Sequence, residues 1–317
     1  MLYWKTGICS LAALLLAGCL NTPPAVDDGD SATSGDQQSE ATQSTDQPGE
    51  YWLRAMTINT EWLWNSDADI DGIVRDAGDL PTPIEYMAEI NYFANLIAQS
   101  DANLVALQEI EGCYVIDAII SELEAGTWYS VCATGRDTFT GQDVGIVSQF
   151  PIRFGPTTFS DIWGEYDGAS ARPSKVVGAV LETPQGGIAV IATRLLSKLN
   201  PANDGKRAAQ ADAISTGFTE LYTRAGVQHG LVMGDLNDTQ DSVPLTLLTG
   251  SGVLSNTLYA NGRAPTAADC TYTYGGECSF IDHILVSGSL SGGSFQVIDA
   301  NDAYTDHDTV LFRAPVP

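Results

Sequence analysis

The chain has 317 residues, with 40 Asp and Glu against 14 Lys and Arg, a net charge of −26. That balance, with no run of Lys or Arg anywhere, excludes a protein that grips nucleic acid mainly by neutralising phosphates, because that mode needs a basic stripe. Turnover of a phosphate ester stays open, since in a salty medium the Debye length shrinks to a few ångströms and like-charge repulsion weakens.

Residues 1–19 read as a secretion signal. Lys5 supplies the positive start, residues 11–16 form a short apolar run, and that run is too short to span a bilayer. Leu16-Ala17-Gly18-Cys19 sets small residues directly before a cysteine and resembles a bacterial lipobox, which implies acylation of Cys19 and attachment to a membrane through lipid alone. Leu20, where an aspartate often retains lipoproteins at the inner membrane, favours the outer membrane of a Gram-negative bacterium; an ordinary cleaved signal is the alternative. Residues 20–50 are rich in Ser, Thr, Gln, Asp and Pro with almost no large apolar side chain, so they read as a disordered acidic tether. Residues 51–317 are long enough for one large α/β domain; they hold 13 of the basic and 33 of the acidic residues, a net of −20.

Along that domain short apolar strands end in polar residues. Residues 53–58 alternate as a strand and run into Asn59, and residues 84–100 place Ile84, Met87, Ile90, Phe93, Ala94 and Ile97 at a helical period. Residues 104–107 form a buried strand that delivers Gln108 and Glu109. Residues 176–181 and 187–193 look like paired strands, followed by a helix over 206–224 and a strand over 230–234 that ends in Asp235. Phe280-Ile281 leads into Asp282, with Ile284-Leu285-Val286 continuing the strand, and Asp306-His307 opens the last one. Carboxylates that all stand at strand ends can gather along one sheet edge, which is how a site is built from distant sequence.

Of six cysteines, Cys9 leaves with the signal and Cys19 is the lipid site. In an oxidising compartment Cys113, Cys132, Cys270 and Cys278 allow three pairings, of which the sequence-local one (113 with 132, 270 with 278) is favoured; no Cys-x-x-Cys spacing supports zinc. Asp67-Ala68-Asp69-Ile70-Asp71-Gly72 matches the first half of a calcium loop, but Gly78 stands where the twelfth-position glutamate is needed, so a solvated acidic loop is the better reading. Tyr51, Trp52, Trp62 and Trp64 read as core and rim packing, with stacking on a ligand as the alternative.

Five segments carry the chemistry: Thr57-Ile58-Asn59-Thr60-Glu61, Leu107-Gln108-Glu109-Ile110-Glu111, Gly234-Asp235-Leu236-Asn237-Asp238, Ile281-Asp282-His283-Ile284-Leu285 and Thr305-Asp306-His307-Asp308. In this order and spacing they resemble the motifs of the endonuclease/exonuclease/phosphatase superfamily, the deoxyribonuclease I-like group. The resemblance implies a four-layer α/β/β/α sandwich with two largely antiparallel sheets, and hydrolysis of a phosphoester. Such esters are shielded by their own charge, so attack by water needs a cation on the phosphoryl oxygens, an oriented nucleophile and help for the leaving oxygen. The resemblance also implies that Glu109 holds magnesium, or calcium or manganese, with Asn59 and Asp306; that Asp235 orients or deprotonates water; that Asn237 donates to the phosphate; and that His307, paired with Asp282, contacts the phosphoryl group.

One position departs from the pattern. Where a histidine usually stands in a Thr-His-Leu run, this chain has Thr193-Arg194-Leu195, and an arginine can clamp phosphate but does not give up its proton at neutral pH. Ala171-Arg172-Pro173 resembles the substrate-contacting arginine and makes Arg172 a second candidate clamp. The expectation is therefore a monomeric, exported, magnesium-dependent phosphodiesterase acting on extracellular nucleic acid. A sphingomyelinase-like or sugar-phosphate phosphodiesterase, or a catalytically weakened lipoprotein that binds a ligand or partner, are the alternatives.

Overall fold

Strands buried along their whole length need cover on both faces, and Leu104–Ile110, Asp143–Ser148 and His229–Asp235 are of this kind. The computed structural model describes residues 51–65, 80–123, 126–137, 140–263, 266 and 269–316. The first half of the described chain runs β1 (Tyr51–Leu63), α1 (Pro83–Gln99), β2 (Leu104–Ile110), α2 (Cys113–Glu122), β3 (Tyr129–Cys132), β4 (Asp143–Ser148), β5 (Ile152–Thr157), β6 (Gly164–Tyr166) and β7 (Ala169–Ala171). The second runs β8 (Lys175–Thr183), β9 (Gly186–Arg194), α3 (Asp204–Ala225), β10 (His229–Asp235), α4 (Val243–Thr249), β11 (Leu254–Asn256), β12 (Tyr272–Tyr274), β13 (Glu277–Ser279), β14 (Asp282–Ser287), β15 (Ser294–Ile298) and β16 (Thr309–Val316).

Six strands form one sheet in the order β15-β16-β1-β2-β4-β3, and six form the other in the order β11-β14-β10-β9-β8-β5. Each sheet is antiparallel except at one pair, β1 with β2 and β9 with β10. The period-two alternation of side chains sorts residues into layers. Leu53 and Ala55 of β1 join Leu104, Ile146, Val190, Met233, Ile284 and Phe312 between the sheets. Met56 and Ile58 point the other way, onto Ile90, Phe93 and Ile97 of α1 and Ile116 of α2. On the far side Val180 and Ile191 pack against Ile214 and Phe218 of α3 and Leu245 and Leu248 of α4. The result is the expected α/β/β/α sandwich of two largely antiparallel sheets.

Local signals explain the element ends. Thr82 caps α1 by accepting from the Glu85 amide while Glu85 reaches back to the Thr82 amide, a capping box with Pro83 in the first turn, so the helix begins at Pro83. Gly226, at φ 63°, closes α3 in the left-handed conformation that glycine adopts without strain. Cys113 bonds to Cys132, tying the start of α2 to β3, and Cys270 bonds to Cys278 across the β12–β13 hairpin, the sequence-local pairing. Trp62 and Trp64 meet edge to face at 4.9 Å, and Tyr51 tilts onto Phe150 at 5.6 Å. Residues 1–50, with Cys19 and the tether, and the acidic stretch 67–72 lie outside the described residues. Among the described residues no helix is long and apolar enough to cross a membrane.

Candidate active site

Register builds the site. Lys175 on β8 pairs with Arg194 on β9, Arg194 with Asp235 on β10, and Asp235 with Asp282 on β14. Residues paired directly across strands project to the same face, so four charged side chains stand in one row across four strands. On the other sheet Asn59 pairs with Gln108 near the ends of the parallel strands β1 and β2. Gln108 and Ile110 then pair with Val144 and Asp143, which leaves Glu109 as the extra residue of a bulge, at φ 63°. Bulges re-aim a side chain, and a left-handed non-glycine residue costs about 1–3 kcal/mol, a strain found mostly at functional sites. Here the re-aimed group is the carboxylate.

That carboxylate meets both sheets. Asn59 Nδ2 donates to Glu109 Oε1 at 3.0 Å and lies 3.3 Å from Asp235 Oδ2 and 3.4 Å from His307 Nε2. Gln142 Nε2 donates to Glu109 Oε2 at 2.6 Å, and Arg194 Nη2 sits 2.6 Å from Oε1. Asp235 is held by four donors: Arg194 Nε at 3.2 Å, Asn59, and the Asn237 backbone and side-chain amides at 2.8 and 2.9 Å. Asn237 takes φ 51° and also donates to the Leu195 carbonyl at 3.0 Å. Asp306 and His307 do not open β16; they lie in the turn before it, because Thr305 Oγ1 donates to the Asn59 carbonyl and accepts from the His307 amide. That turn brings His307 Nδ1 to 2.8 Å from Asp282 Oδ2, with the Tyr272 ring 4.7 Å from the imidazole.

Burial alone would depress the His307 pKa, but the Asp282 carboxylate, aided by Asp235 and Asp306, outweighs it and pushes the ring up to about 10. Burial raises the Asp282 carboxyl while the imidazolium beside it opposes the shift; the shift on the ring governs, and the pair is an ion pair at neutral pH. Burial likewise works against ionised Glu109, yet the Arg194 guanidinium and the Asn59 amide hold its carboxyl below the usual value. Asp306, with a side chain 49% exposed, is raised by burial, and its Oδ1 lies 3.8 Å from His307 Nε2.

Of the residues expected to act in catalysis, metal binding or substrate binding, all but Arg172 therefore come together. Arg172 donates to the Ser160 carbonyl at 3.2 Å and stacks 4.5 Å from the Trp163 ring centre, with no contact to the cluster. Three participants carry no motif in the sequence. Gln142 bridges Glu109, Arg194 and Lys175, and Lys175 sits 2.9 Å from Asp137. Burial and the neighbouring Arg194 lower the Lys175 pKa against the pull of Asp137. Only the β8–β9 register, which sets Lys175 beside Arg194, would have pointed to it.

The donor set bears on a metal ion. Among the described residues no three His, Cys, Asp or Glu side chains converge as a ligand shell. Magnesium, however, is content with one or two carboxylates and several waters. The cluster has five carboxylates, Glu109, Asp137, Asp235, Asp282 and Asp306, against three cationic groups, Lys175, Arg194 and His307. Glu109 and half-exposed Asp306 supply hard oxygens, and the deficit of positive charge matches one divalent cation. The residues fit, on the condition that Arg194 yields Glu109 Oε1.

The profile of the endonuclease/exonuclease/phosphatase family matches residues 56–307, which contain every one of these groups. Curated proteins yield no match. Solved structures share the fold at low identity. An endonuclease/exonuclease/phosphatase from Bacteroides vulgatus is 15% identical with a TM-score of 0.59, covering 84% of this chain and 100% of its own. TDP2 from Caenorhabditis elegans is 13% identical with a TM-score of 0.56, covering 84% and 74%. Mannosyl-6-phosphatase from Bacteroides thetaiotaomicron is 16% identical with a TM-score of 0.54, covering 82% and 98%. With the profile spanning most of the domain, the chain belongs to the endonuclease/exonuclease/phosphatase family.

Proposed function

We propose that the chain is a magnesium-dependent phosphodiesterase that acts on extracellular nucleic acid, as a monomer anchored through acylated Cys19 at the outer membrane. The observation that carries the catalytic part is the convergence of Asn59, Glu109, Asp235, Asn237, Asp282 and His307, drawn from both sheets and joined through contacts of 2.8–3.4 Å. Glu109 and Asp306 would hold the metal, which supplies charge neutralisation on the phosphoryl oxygens. His307 is kept cationic and correctly turned by Asp282, so its Nε2–H is available to a phosphoryl oxygen. Asp235 already carries four donors, which suits it to orient a water that replaces one of them. The strain at Glu109 and Asn237 fits groups fixed before substrate arrives.

A sugar phosphate as substrate is the second reading. It is favoured by the acidity of the domain, since a small ester brings less negative charge than a polyanion, and mannosyl-6-phosphatase is among the similar structures. The test is a screen of the purified full-length protein with magnesium, and again with chelator, on DNA, RNA, sphingomyelin, bis(p-nitrophenyl) phosphate and mannose 6-phosphate. Magnesium-dependent hydrolysis of DNA or RNA is the expected result. Hydrolysis of the sugar phosphate alone would favour the second reading, and inertness toward all five would overturn the assignment as an enzyme.

A further inference from the structure

Arg194 has all three guanidinium nitrogens committed inside the cluster. Nε donates to Asp235 Oδ2 at 3.2 Å, Nη1 to Gln142 Oε1 at 3.2 Å, and Nη2 lies 2.6 Å from Glu109 Oε1. The bridged carboxylates come from different sheets, and their side chains are only 6% and 1% exposed. The second oxygen of Glu109 is held by Gln142. A divalent ion that binds Glu109 therefore meets a carboxylate already neutralised by a buried cation, and two cations on one oxygen repel strongly where water is excluded.

We infer that Arg194 is a resident counter-cation: it occupies Glu109 in the metal-free protein, swings away when a divalent ion binds, and so sets the protein's metal affinity. The inference rests on the reading that Glu109 is a metal ligand. The exchange needs no change of backbone, because Asp235 pairs with Arg194 across β9 and β10 and keeps hold of Nε while Nη2 lets go. The freed edge of the guanidinium then has no carboxylate to face, and the anionic ester that the metal recruits is its natural acceptor. Metal binding would thus release the phosphate clamp, and the two events become coupled. A histidine at this position, which is neutral for part of the time near pH 7, would oppose the metal less.

The experiment is a titration of manganese, by calorimetry and by electron paramagnetic resonance, into metal-stripped full-length protein, the wild type beside Arg194→Met, Arg194→Lys and Glu109→Gln. Arg194→Met is expected to bind manganese at least tenfold tighter. Arg194→Lys keeps the charge but loses the fork, and should bind manganese less tightly than Arg194→Met. A parallel measurement needs no variant to fold: in wild-type protein labelled with 15N-arginine, the protected Arg194 Nε–H signal, assigned by its absence from Arg194→Lys, should move and its Nη protons exchange faster on adding metal. Unchanged affinity in Arg194→Met, or an arginine spectrum indifferent to saturating metal, would each overturn the exchange. If Glu109→Gln binds manganese as well as the wild type, it is the metal assignment itself that fails, and the exchange with it.

Discussion

Replacing Arg207 with methionine tests how the loop that carries Asp235 and Asn237 is held. Arg207 stands on α3 with its side chain 5% exposed, and its guanidinium reaches Asp238 Oδ2 from Nε at 3.0 Å and from Nη2 at 2.9 Å. It also contacts Asp204 at 2.9 Å and the Leu196 carbonyl at 3.5 Å. The Asp238 carbonyl is fixed from the other side by His283 Nε2 at 2.9 Å, so the residue after Asn237 is gripped twice. Arg207→Met keeps the aliphatic packing but leaves an Asp238 carboxylate, 18% exposed, without its cation. Hydrogen bonds to charged groups contribute about 1.5–3 kcal/mol, and removing one partner of a buried pair costs about 3–5 kcal/mol, which partial exposure of Asp238 reduces. The Asp204 contact, 62% exposed on the carboxylate side, adds little. The expected loss is about 2–4 kcal/mol, or roughly 5–15 °C in Tm for a domain of this size, together with a lower kcat as the Asp235–Asp238 loop loosens. Urea denaturation of Arg207→Met, Asp238→Asn and the double variant measures it, with a coupling of about 1–2 kcal/mol expected and Asp204→Asn within about 0.5 kcal/mol of wild type. Additive single losses, or equal losses at Asp204 and Asp238, would refute the grip of Arg207 on Asp238.

Four further outcomes are expected. His283 is held neutral, its pKa lowered to about 4 by burial, so the unfolded state binds the extra proton between about 4 and 6.5 and the stability it contributes is lost as pH falls through that window, seen as a falling Tm. His307 works in the opposite sense: its raised pKa gives stability that is complete below about 6.5 and lost as pH rises toward about 10, and Asp282→Asn should flatten that alkaline decline. Reduction should cost about 3 kcal/mol for each bridge, given loop separations of 19 and 8 residues, and alanine at Cys113 and Cys132 together should reproduce the larger share in urea melts. Removal of residues 1–50 should leave a soluble domain with the melting curve of the parent, since residues 1–19 read as a signal and residues 20–50 have almost no large apolar side chain to place in a core; an insoluble product would show the boundary to be wrong.

Much of the candidate site is legible in the sequence because its residues sit at the ends of apolar runs. Glu109 follows 104–107 and Asp235 follows 230–234, where an unpaired carboxylate would be costly, and the motif order carried the fold. What stayed hidden depends on pairing between distant strands. Lys175 enters the cluster only because β8 meets β9 in one particular register, and Gln142 only because β4 flanks the bulge at Glu109. The start of the last strand differs for a similar reason: Asp306 and His307 look like the first residues of a strand, but Thr305 anchors to the Asn59 carbonyl and turns them toward Asp282 before β16 begins at Thr309. Three-residue strands such as β6, β7 and β11 are too short to show a period. Arg172 resembles a substrate-contacting arginine by its neighbours in sequence, and its guanidinium donates to the Ser160 carbonyl and lies over the Trp163 ring.

Whether Glu109 holds a metal needed for hydrolysis is read from the rate of bis(p-nitrophenyl) phosphate cleavage by wild type and Glu109→Gln across a magnesium titration that starts in chelator. The expected result is no rate in chelator, a rate restored by magnesium in the wild type, and a Glu109→Gln protein that stays folded by circular dichroism yet is at least a hundredfold slower at every magnesium concentration. Full activity of the wild type in chelator, or a magnesium response undiminished in Glu109→Gln, would contradict it.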